Sequence, residues 1–271
     1  MHTPQLNPFG GALLSLESSQ SGMTGGQIYF WGLFPSLLAS AVATVVFIGL
    51  SGHFFATTYT FPLYVPRLAD LLLAVPLSLI GGAAGLLFML MFQGLRRLME
   101  PMKHHLVLRS LIGGLTMGVL GALLPLTLFS GQEGTKEIVQ QAGVIGFWGL
   151  MLLAACKLFA TSLLLATGWK GGYIFPILFA GVALGMAGEL LFPSVPLAVT
   201  VAATLAGALV AALRAPLFAA LFTLVLVQRE TGPVVAISVL VSAILTALLA
   251  LSQARRAQAE TVKLQNATES R

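Results

Sequence analysis

Long apolar runs alternate with short polar segments along most of the chain. The charge-free runs Ser110–Gln132, Leu190–Leu213 and Gly232–Ala254 each reach the roughly 20 residues that an apolar helix needs to cross a bilayer. They lack the period-two alternation of a membrane β-strand, so the pattern predicts an all-α, polytopic membrane protein. The predicted helices are a short one at Leu6–Glu17, then Ile28–Leu50, Asp70–Leu95, Leu111–Phe129, a short one from Thr135 within the polar stretch Ser130–Gln141, Val144–Thr167, Tyr173–Leu191, Leu197–Leu213, Ala215–Val227 and Val234–Leu251.

One segment, Gly168-Trp169-Lys170-Gly171-Gly172-Tyr173-Ile174-Phe175-Pro176, interrupts this pattern. Its paired glycines end one apolar run, and Pro176 lies in the first turn of the next helix, where a missing N–H costs nothing. The pattern predicts a broken membrane helix whose second part begins near Tyr173 with unpaired N–H groups and the positive end of its dipole.

An anion is the natural partner of such a helix end. Irregular backbone at membrane depth is tolerated where protein or a water-filled cavity surrounds it, so the break is expected to line a site or pathway. The alternative is a glycine-rich loop at the membrane surface that joins two ordinary spans.

Composition and charge agree with a membrane protein. Hydrophobic residues make up 57% of the chain and charged residues 8%, and the mean hydropathy is +0.94, whereas soluble proteins average about 25% charged residues. Most of the formal net charge of +5 comes from two basic clusters, which the positive-inside rule places in the cytoplasm. No aromatic stacking residues are interleaved, so a nucleic-acid partner is not expected. The clusters are Arg96, Arg97, Lys103, His104, His105 and Arg109, and Arg255, Arg256, Lys263 and Arg271.

Few polar side chains inside the apolar runs could carry chemistry. Cys156, Lys157 and Glu189 do not form a converging set, so neither an enzyme nor a metal site is expected. An intramembrane lysine is a functional candidate by default, but Lys157 could equally snorkel or satisfy the carbonyls of a helix end. Both interpretations of Lys157 stay open.

Two segments of the chain echo each other. Pro8-Phe9-Gly10-Gly11-Ala12-Leu13-Leu14-Ser15-Leu16 matches Pro216-Leu217-Phe218-Ala219-Ala220-Leu221-Phe222-Thr223-Leu224, with proline first and a hydroxyl residue second from last. The echo indicates that the first element ends one structural repeat and that the rest of the chain forms a second, as in transporters built from paired repeats.

Three motifs resemble those of the CLC family of chloride channels and anion/proton antiporters. Gly171-Gly172-Tyr173-Ile174-Phe175-Pro176 is similar to the family's Gly-Gly-x-Phe-x-Pro anion-binding motif, and Arg214-Ala215-Pro216-Leu217 to its Arg-Ala-Pro-Leu element. The segment from Asn7-Pro8 to Glu17 resembles the Asn-x-Pro helix that ends the family's first repeat. The order and separation of the three motifs fit across nearly the whole chain.

The resemblance implies an all-α fold with tilted and broken helices, similar to the second half of the CLC chloride channel fold. It also implies that chloride or another halide is held by the N–H groups of Tyr173 and Ile174, in a site formed by Gly171, Gly172, Tyr173, Ile174 and Phe175. Family members are homodimers, so a second copy in the bilayer is the expected partner. The family interface corresponds here to Pro8–Glu17, Ile28–Leu50, Ala215–Val227 and Val234–Leu251.

The sequence departs from the family pattern at several points. The Gly-Ser-Gly-x-Pro motif and the Gly-x-Glu-Gly-Pro gating glutamate of the first repeat do not occur, so that repeat is expected to be mostly absent and its half of the pore to be required as a partner. No tyrosine follows Tyr173 to close the inner side of the pore. Antiporters carry two adjacent glutamates where Glu17 is followed by Ser18, so proton coupling by that route is not expected. Lys170, just before the glycine pair, is similar to the basic residue that the fluoride-transporting branch of the family has at that point. The glutamate that this branch carries after the glycines is replaced here by Tyr173.

These expectations divide the chain into three parts: residues 1–26, a short helix ending a truncated first repeat; residues 27–254, a transmembrane anion-transport domain; and residues 255–271, a cytoplasmic basic tail. The leading hypothesis is transport of chloride without a cofactor, with Lys157 and Lys170 raising the positive potential of the pathway. The alternatives are a fluoride-type transporter and a non-conducting, dimerising membrane subunit or gene fragment. In a bacterium the expected location is the inner membrane.

Overall fold

The computed structural model describes Glu17, residues 34–51 and 61–62, and residues 64–269, and the regular structure in these ranges is helical. The predicted short helix Leu6–Glu17, apart from Glu17 itself, lies outside the described residues. The start of the predicted span Ile28–Leu50 also lies outside them. The α-helices of the described part are α1 (Phe34–Ser51), α2 (Leu68–Met99), α3 (Leu106–Leu123), α4 (Gln132–Ala166), α5 (Ile174–Leu191), α6 (Leu197–Leu213), α7 (Pro216–Leu226) and α8 (Gly232–Glu269).

Five helical segments in the described part are long and apolar enough to cross a membrane, which confirms the predicted polytopic, all-α fold. The three shorter apolar helices there belong to α1, α6 and α7, and the last two have 17 and 11 residues. At a rise of about 1.5 Å per residue, α7 is too short to cross alone. The five spanning segments are Leu68–Met102, Leu106–Leu123, Gln132–Ala166, Ile174–Leu191 and Arg229–Ser252.

Helices α5 and α6 form the centre of the bundle. Every residue from Pro176 to Ala187 in α5 is buried, and so is every residue from Ala198 to Ala212 in α6. A helix that is apolar on all sides, as these two are, is stable only when other helices or lipid surround it. Because α5 is enclosed in this way, the point at which it begins is fixed by packing on several sides.

Glycines bring α2 and α6 into backbone contact. A Cβ atom built on Gly81 would overlap the backbone of Thr204, one on Gly85 the carbonyl of Ala208, and one on Gly207 the carbonyl of Ser78. Small residues at helix contacts are the usual means of close approach in membranes, where packing rather than the hydrophobic effect holds helices together. Gly81 and Gly85 therefore lie where α2 contacts its neighbour α6.

Buried hydroxyl groups add hydrogen bonds between helices. Ser242 Oγ in α8 donates to the carbonyl of Gly207 in α6 at 2.9 Å, and the single proton of Thr204 Oγ1 in α6 is shared between the carbonyl of Gly181 in α5 at 2.9 Å and that of Thr200 in its own helix at 2.7 Å. Such bonds contribute about 0.6 kcal/mol each on average in membrane proteins, so they fix helix register more than they provide stability.

The segment before α2 is tied to the turn between α7 and α8. The Gln228 amide nitrogen donates to the carbonyls of Phe61 at 3.0 Å and Pro62 at 2.8 Å, and its oxygen accepts the N–H of Tyr64 at 3.2 Å. The Tyr64 hydroxyl donates to Asp70 at 2.8 Å. Burial, together with the Asp70 carboxylate, raises the pKa of Tyr64 to about 12, so the hydroxyl remains a donor at any physiological pH.

Two predicted boundaries are corrected around the turn that joins α3 and α4. The predicted helix Leu111–Phe129 instead runs over Leu106–Leu123. It ends at Leu123 because Pro125 forces Leu124 out of the helical region, to φ −133° and ψ 76°. A 3-10 turn, Pro125–Thr127, follows. Phe129 and Gly131 then adopt positive φ values of 52° and 92°, which reverse the chain.

The polar stretch Ser130–Gln141 is almost entirely helical. Helix α4 begins at Gln132, before the short helix predicted from Thr135, and continues into the predicted span Val144–Thr167. Non-helical angles at Gln141 and at Gly146 (φ 72°, ψ 169°) mark a kink between the two parts. The pattern of apolar residues did not predict that the two parts form one helix, because the first part is polar. Backbone hydrogen bonds within a helix form regardless of whether the side chains are polar.

Replacing Gly81 by Ala is expected to destabilise the protein by about 3 kcal/mol, because the new methyl group would overlap the backbone of α6, which cannot move aside without shifting the helix. The measurement is the free energy of unfolding in mixed micelles titrated with sodium dodecyl sulfate. Gly94→Ala is the matched control on the same helix, since a Cβ there meets nothing within 4 Å. Equal stability of the two variants would contradict the close α2–α6 contact.

Candidate functional site

The break predicted around Gly168–Pro176 is present, and it starts with a glycine cap on α4. Gly168 has φ +99°, its N–H donates to the carbonyl of Leu165 at 3.2 Å, and the N–H of Trp169 donates to the carbonyl of Leu164 at 3.1 Å. These two bonds form a Schellman motif, which ends a helix and satisfies its last carbonyls. Gly168 is therefore the residue that stops α4, and the paired glycines lie further on.

The end of α4 is also held by α3. The Arg109 side chain donates through Nε to the carbonyl of Ala166 at 3.0 Å and through Nη2 to the same oxygen. Trp169 Nε1 donates to the carbonyl of Ser110 at 3.1 Å. A cation at the carboxyl end of a helix complements the negative end of its dipole. Arg109 and Trp169 thus fix the position from which the broken segment departs.

The segment from Trp169 to Gly172 is exposed and has no helical structure, and α5 begins at Ile174. Gly171 and Gly172 have open space where a Cβ would lie. Among the described residues, none comes within 4 Å of the Cβ position at either glycine, so the backbone before the first turn of α5 is bare there.

The first turn of α5 presents backbone donors. The first backbone bond that closes it runs from the N–H of Ile177 to the carbonyl of Tyr173 at 3.1 Å, and Pro176 has no N–H. Tyr173 occupies the N-cap position and makes no side-chain cap bond, and the first turn contains no acidic residue. The N–H groups of Tyr173 and Ile174 have no acceptor among the described residues. The helix start therefore carries the partial positive charge that an anion would complement.

Aromatic rings from two other helices surround this helix start. The ring of Tyr173 lies 5.6 Å from that of Phe88 in α2, and the ring of Phe175 meets that of Phe222 in α7 edge-on at 6.4 Å. Phe222 in turn stacks on Phe218 at 5.2 Å. Tyr173, Ile174 and Phe175 are half-buried, so the donors lie at the edge of an apolar surrounding, where their interaction with an ion is stronger than in water.

The two lysines predicted as pathway charges occupy different surroundings. Lys170 is exposed within the broken segment, next to Gly171. Lys157 in α4 is 1% exposed, and its ammonium donates to the carbonyls of Thr127 at 2.7 Å, Leu128 at 3.3 Å and Phe129 at 2.8 Å. The ammonium also lies 5.5 Å from the ring centre of Phe179 in α5. Of the two interpretations of Lys157, the geometry favours satisfaction of carbonyls at the end of a turn.

The structure thus places the five predicted anion-site residues together at the start of α5, with Lys170 beside them and Lys157 behind the helix. Sequence reasoning missed Arg109 as a brace, since it was grouped with the basic loop, and it missed Phe88 and Phe222 as neighbours. A basic residue in the first turn of a span, at an otherwise apolar end, is the signal that could have singled out Arg109. No local signal marks the two phenylalanines, because long-range packing brings them to the site.

Comparisons with known proteins identify the family to which this sequence is similar. The family model described as "Voltage gated chloride channel" matches residues 7–248. The protein named "Putative ion-transport protein YfeO" is 31% identical to this chain over 192 residues in both Escherichia coli and Shigella boydii. The matched region covers 69% of this chain and 44% of each relative. The chain therefore spans less than half the length of the curated relatives it matches.

Replacing Lys157 by Met is expected to destabilise the protein by about 3 kcal/mol, because three carbonyls lose their ionic donor and the turn between α3 and α4 loses its anchor. Lys136→Met is the control on the same helix. Lys136 forms a surface ion pair with Glu133 at 3.0 Å, which contributes less than about 1 kcal/mol. The free energy of unfolding in mixed micelles measures both, and an equal loss in both variants would contradict a structural role for Lys157.

Proposed function

The chain belongs to the voltage gated chloride channel family, or CLC family, and from that membership we propose that it transports an anion, chloride or another halide, past the amino end of α5. The family consists of ion channels and transporters rather than enzymes, and the relatives' name also points to ion transport. The chain is an integral, multi-pass membrane protein.

One observation supports the site above the others: α5 begins at a half-buried first turn, after an exposed glycine segment, with backbone donors and no carboxylate in that turn. Aligned peptide dipoles give such a helix end about half a positive elementary charge. Binding by dipoles rather than by a full opposite charge keeps an ion weakly held, which conduction requires because the ion must also leave.

The lysines contribute electrostatics in this proposal, without direct ligation. Lys170 is exposed beside the glycine pair and raises the local concentration of anions. Lys157, already bound by three carbonyls, adds a buried positive charge beside α5. The anion itself is held by the amides of Tyr173 and Ile174, at the glycines and Phe175, and the mechanism uses no cofactor.

A homodimer in the bilayer is part of the proposal. Leu240, Ile244 and Leu248 recur every four residues on α8, and each is about 60% exposed in the single chain. A second copy packed through α8 and α7, or lipid, would cover this apolar face. The proposal also includes a cytoplasmic location for the basic carboxyl-terminal part of α8, beyond Ser252, in accord with the positive-inside rule, and the inner membrane as the location of a bacterial protein.

The proposal is tested by anion flux from liposomes, with the chain alone and with a separately expressed amino-terminal half of a full-length relative. Gly172→Asp is expected to lower the flux about tenfold, because a carboxylate in front of α5 takes the donors and repels the anion. Gly172→Asn, of nearly the same shape but neutral, is the control and is expected to retain most of the flux.

The same liposomes loaded in turn with chloride and with fluoride distinguish the two anion classes, since a chloride-type pathway is expected to release chloride faster. Equal flux through the Asp and Asn variants would contradict a site at the start of α5. If neither the chain alone nor the chain with the added half carries any anion, the transport proposal is wrong.

A further inference from the structure

The amino end of α7 is capped by the carboxylate of Glu17, a residue near the other end of the sequence. Glu17 Oε1 accepts the N–H of Leu217 at 2.8 Å and Glu17 Oε2 accepts the N–H of Phe218 at 3.0 Å, across 200 and 201 positions of the sequence. Pro216 is the first residue of α7 and has no N–H. One carboxylate therefore satisfies the next two donors of the helix, one with each oxygen.

This long-range cap replaces a local one. The N-cap residue of α7 is Ala215, whose side chain cannot accept a hydrogen bond, and the first turn contains no acidic residue. Hydrogen bonds to an ionised group are about twice as strong as neutral ones, and a carboxylate also complements the helix dipole. A helix of only 11 residues depends on its cap more than a long helix does.

The capped helix carries the rings that reach the start of α5. Phe218, whose N–H is bound by Glu17, stacks on Phe222 at 5.2 Å and 22°. Phe222 then meets Phe175, the second residue of α5, edge-on at 6.4 Å. A continuous set of contacts therefore joins the Glu17 carboxylate to the first turn of α5 through Phe218 and Phe222.

We propose that Glu17 is a positioning residue for the anion site, acting through α7 and its two phenylalanines. This inference rests on the proposed function, because it assigns Glu17 to the site at the start of α5. With its carboxylate in place, α7 is held at the depth where Phe222 supports Phe175, and the donors of Ile174 and its neighbours keep their direction. The carboxylate also occupies the donors of α7, so a permeating anion is directed to α5.

The cap is tested first by hydrogen exchange of the 271-residue chain. In Glu17→Gln the peptide containing Leu217 and Phe218 is expected to exchange about tenfold faster, since a neutral amide binds the two N–H groups less strongly. Glu133→Gln makes the same chemical change on the exposed face of α4 and is expected to leave this peptide unchanged. Unchanged exchange in Glu17→Gln would overturn the cap.

The positioning role is tested by flux measured against anion concentration. Glu17→Gln and Phe222→Leu are each expected to raise the half-saturating anion concentration about fivefold, and the double variant is expected to raise it no further, because both act through the same contacts. The role is overturned if the double variant raises the half-saturating concentration by the product of the two single effects. It is also overturned if Glu17→Gln leaves the half-saturating concentration unchanged.

The two failures are distinguishable. If the wild-type protein shows no anion flux under any condition, the proposed function fails and the positioning role fails with it, whereas the exchange experiment still decides whether the cap exists. If the wild type transports anions but Glu17→Gln and Phe222→Leu keep its half-saturating anion concentration, the positioning role alone is wrong.

Discussion

The organisation of this protein depends on one constraint, which is that a backbone N–H or C=O group away from water must find a partner or face a cavity. A continuous helix meets this constraint along its length, so the difficulty is confined to helix ends. Helices α5 and α6 are buried along most of their length, and their ends, where burial gives way to half-buried and exposed residues, hold the backbone groups that still need partners. The treatment of each end therefore decides whether it is structural or available to a ligand.

Several helix ends in the described part are closed by the protein itself. The Schellman turn at Gly168 and the Arg109 guanidinium satisfy the carboxyl end of α4. Lys157 satisfies three carbonyls after α3, and Glu17 binds two donors of α7. Arg109 and Glu17 each carry the charge that complements the dipole at their helix end. The start of α5 differs from that of α7, because Glu17 accepts two N–H groups of α7 whereas no described residue accepts the N–H groups of Tyr173 and Ile174.

The parts of this arrangement that could be predicted are local in sequence. The apolar runs gave the spans, and the glycines with Pro176 gave the break and the start of α5 to within one residue. Their limits are also local, since the helix before Pro125 ended six residues earlier than its apolar pattern indicated. The bonds of Lys157, Arg109 and Glu17 join residues 28 to 201 positions apart, and one sequence contains no periodic signal for such pairs. Their charge marked them as unusual, but only the packing of the bundle identifies the carbonyl or N–H that each one meets.

The contrast between α7 and α5 bears on why a membrane protein would keep one helix start without a carboxylate. A carboxylate at the start of α5 would stabilise the helix by about 1 kcal/mol, as Glu17 is suited to do for α7. It would also take the donors that a mobile anion needs, and a tethered anion is always present at high local concentration. An uncapped start is therefore less stable in isolation, and this cost is offset by the burial of α5 from Pro176 to Ala187 and by the rings of Phe88 and Phe222. A functional site is expected to be locally less stable and to be supported by the packing around it. In the described part, this combination occurs beside the glycine segment that carries the family resemblance.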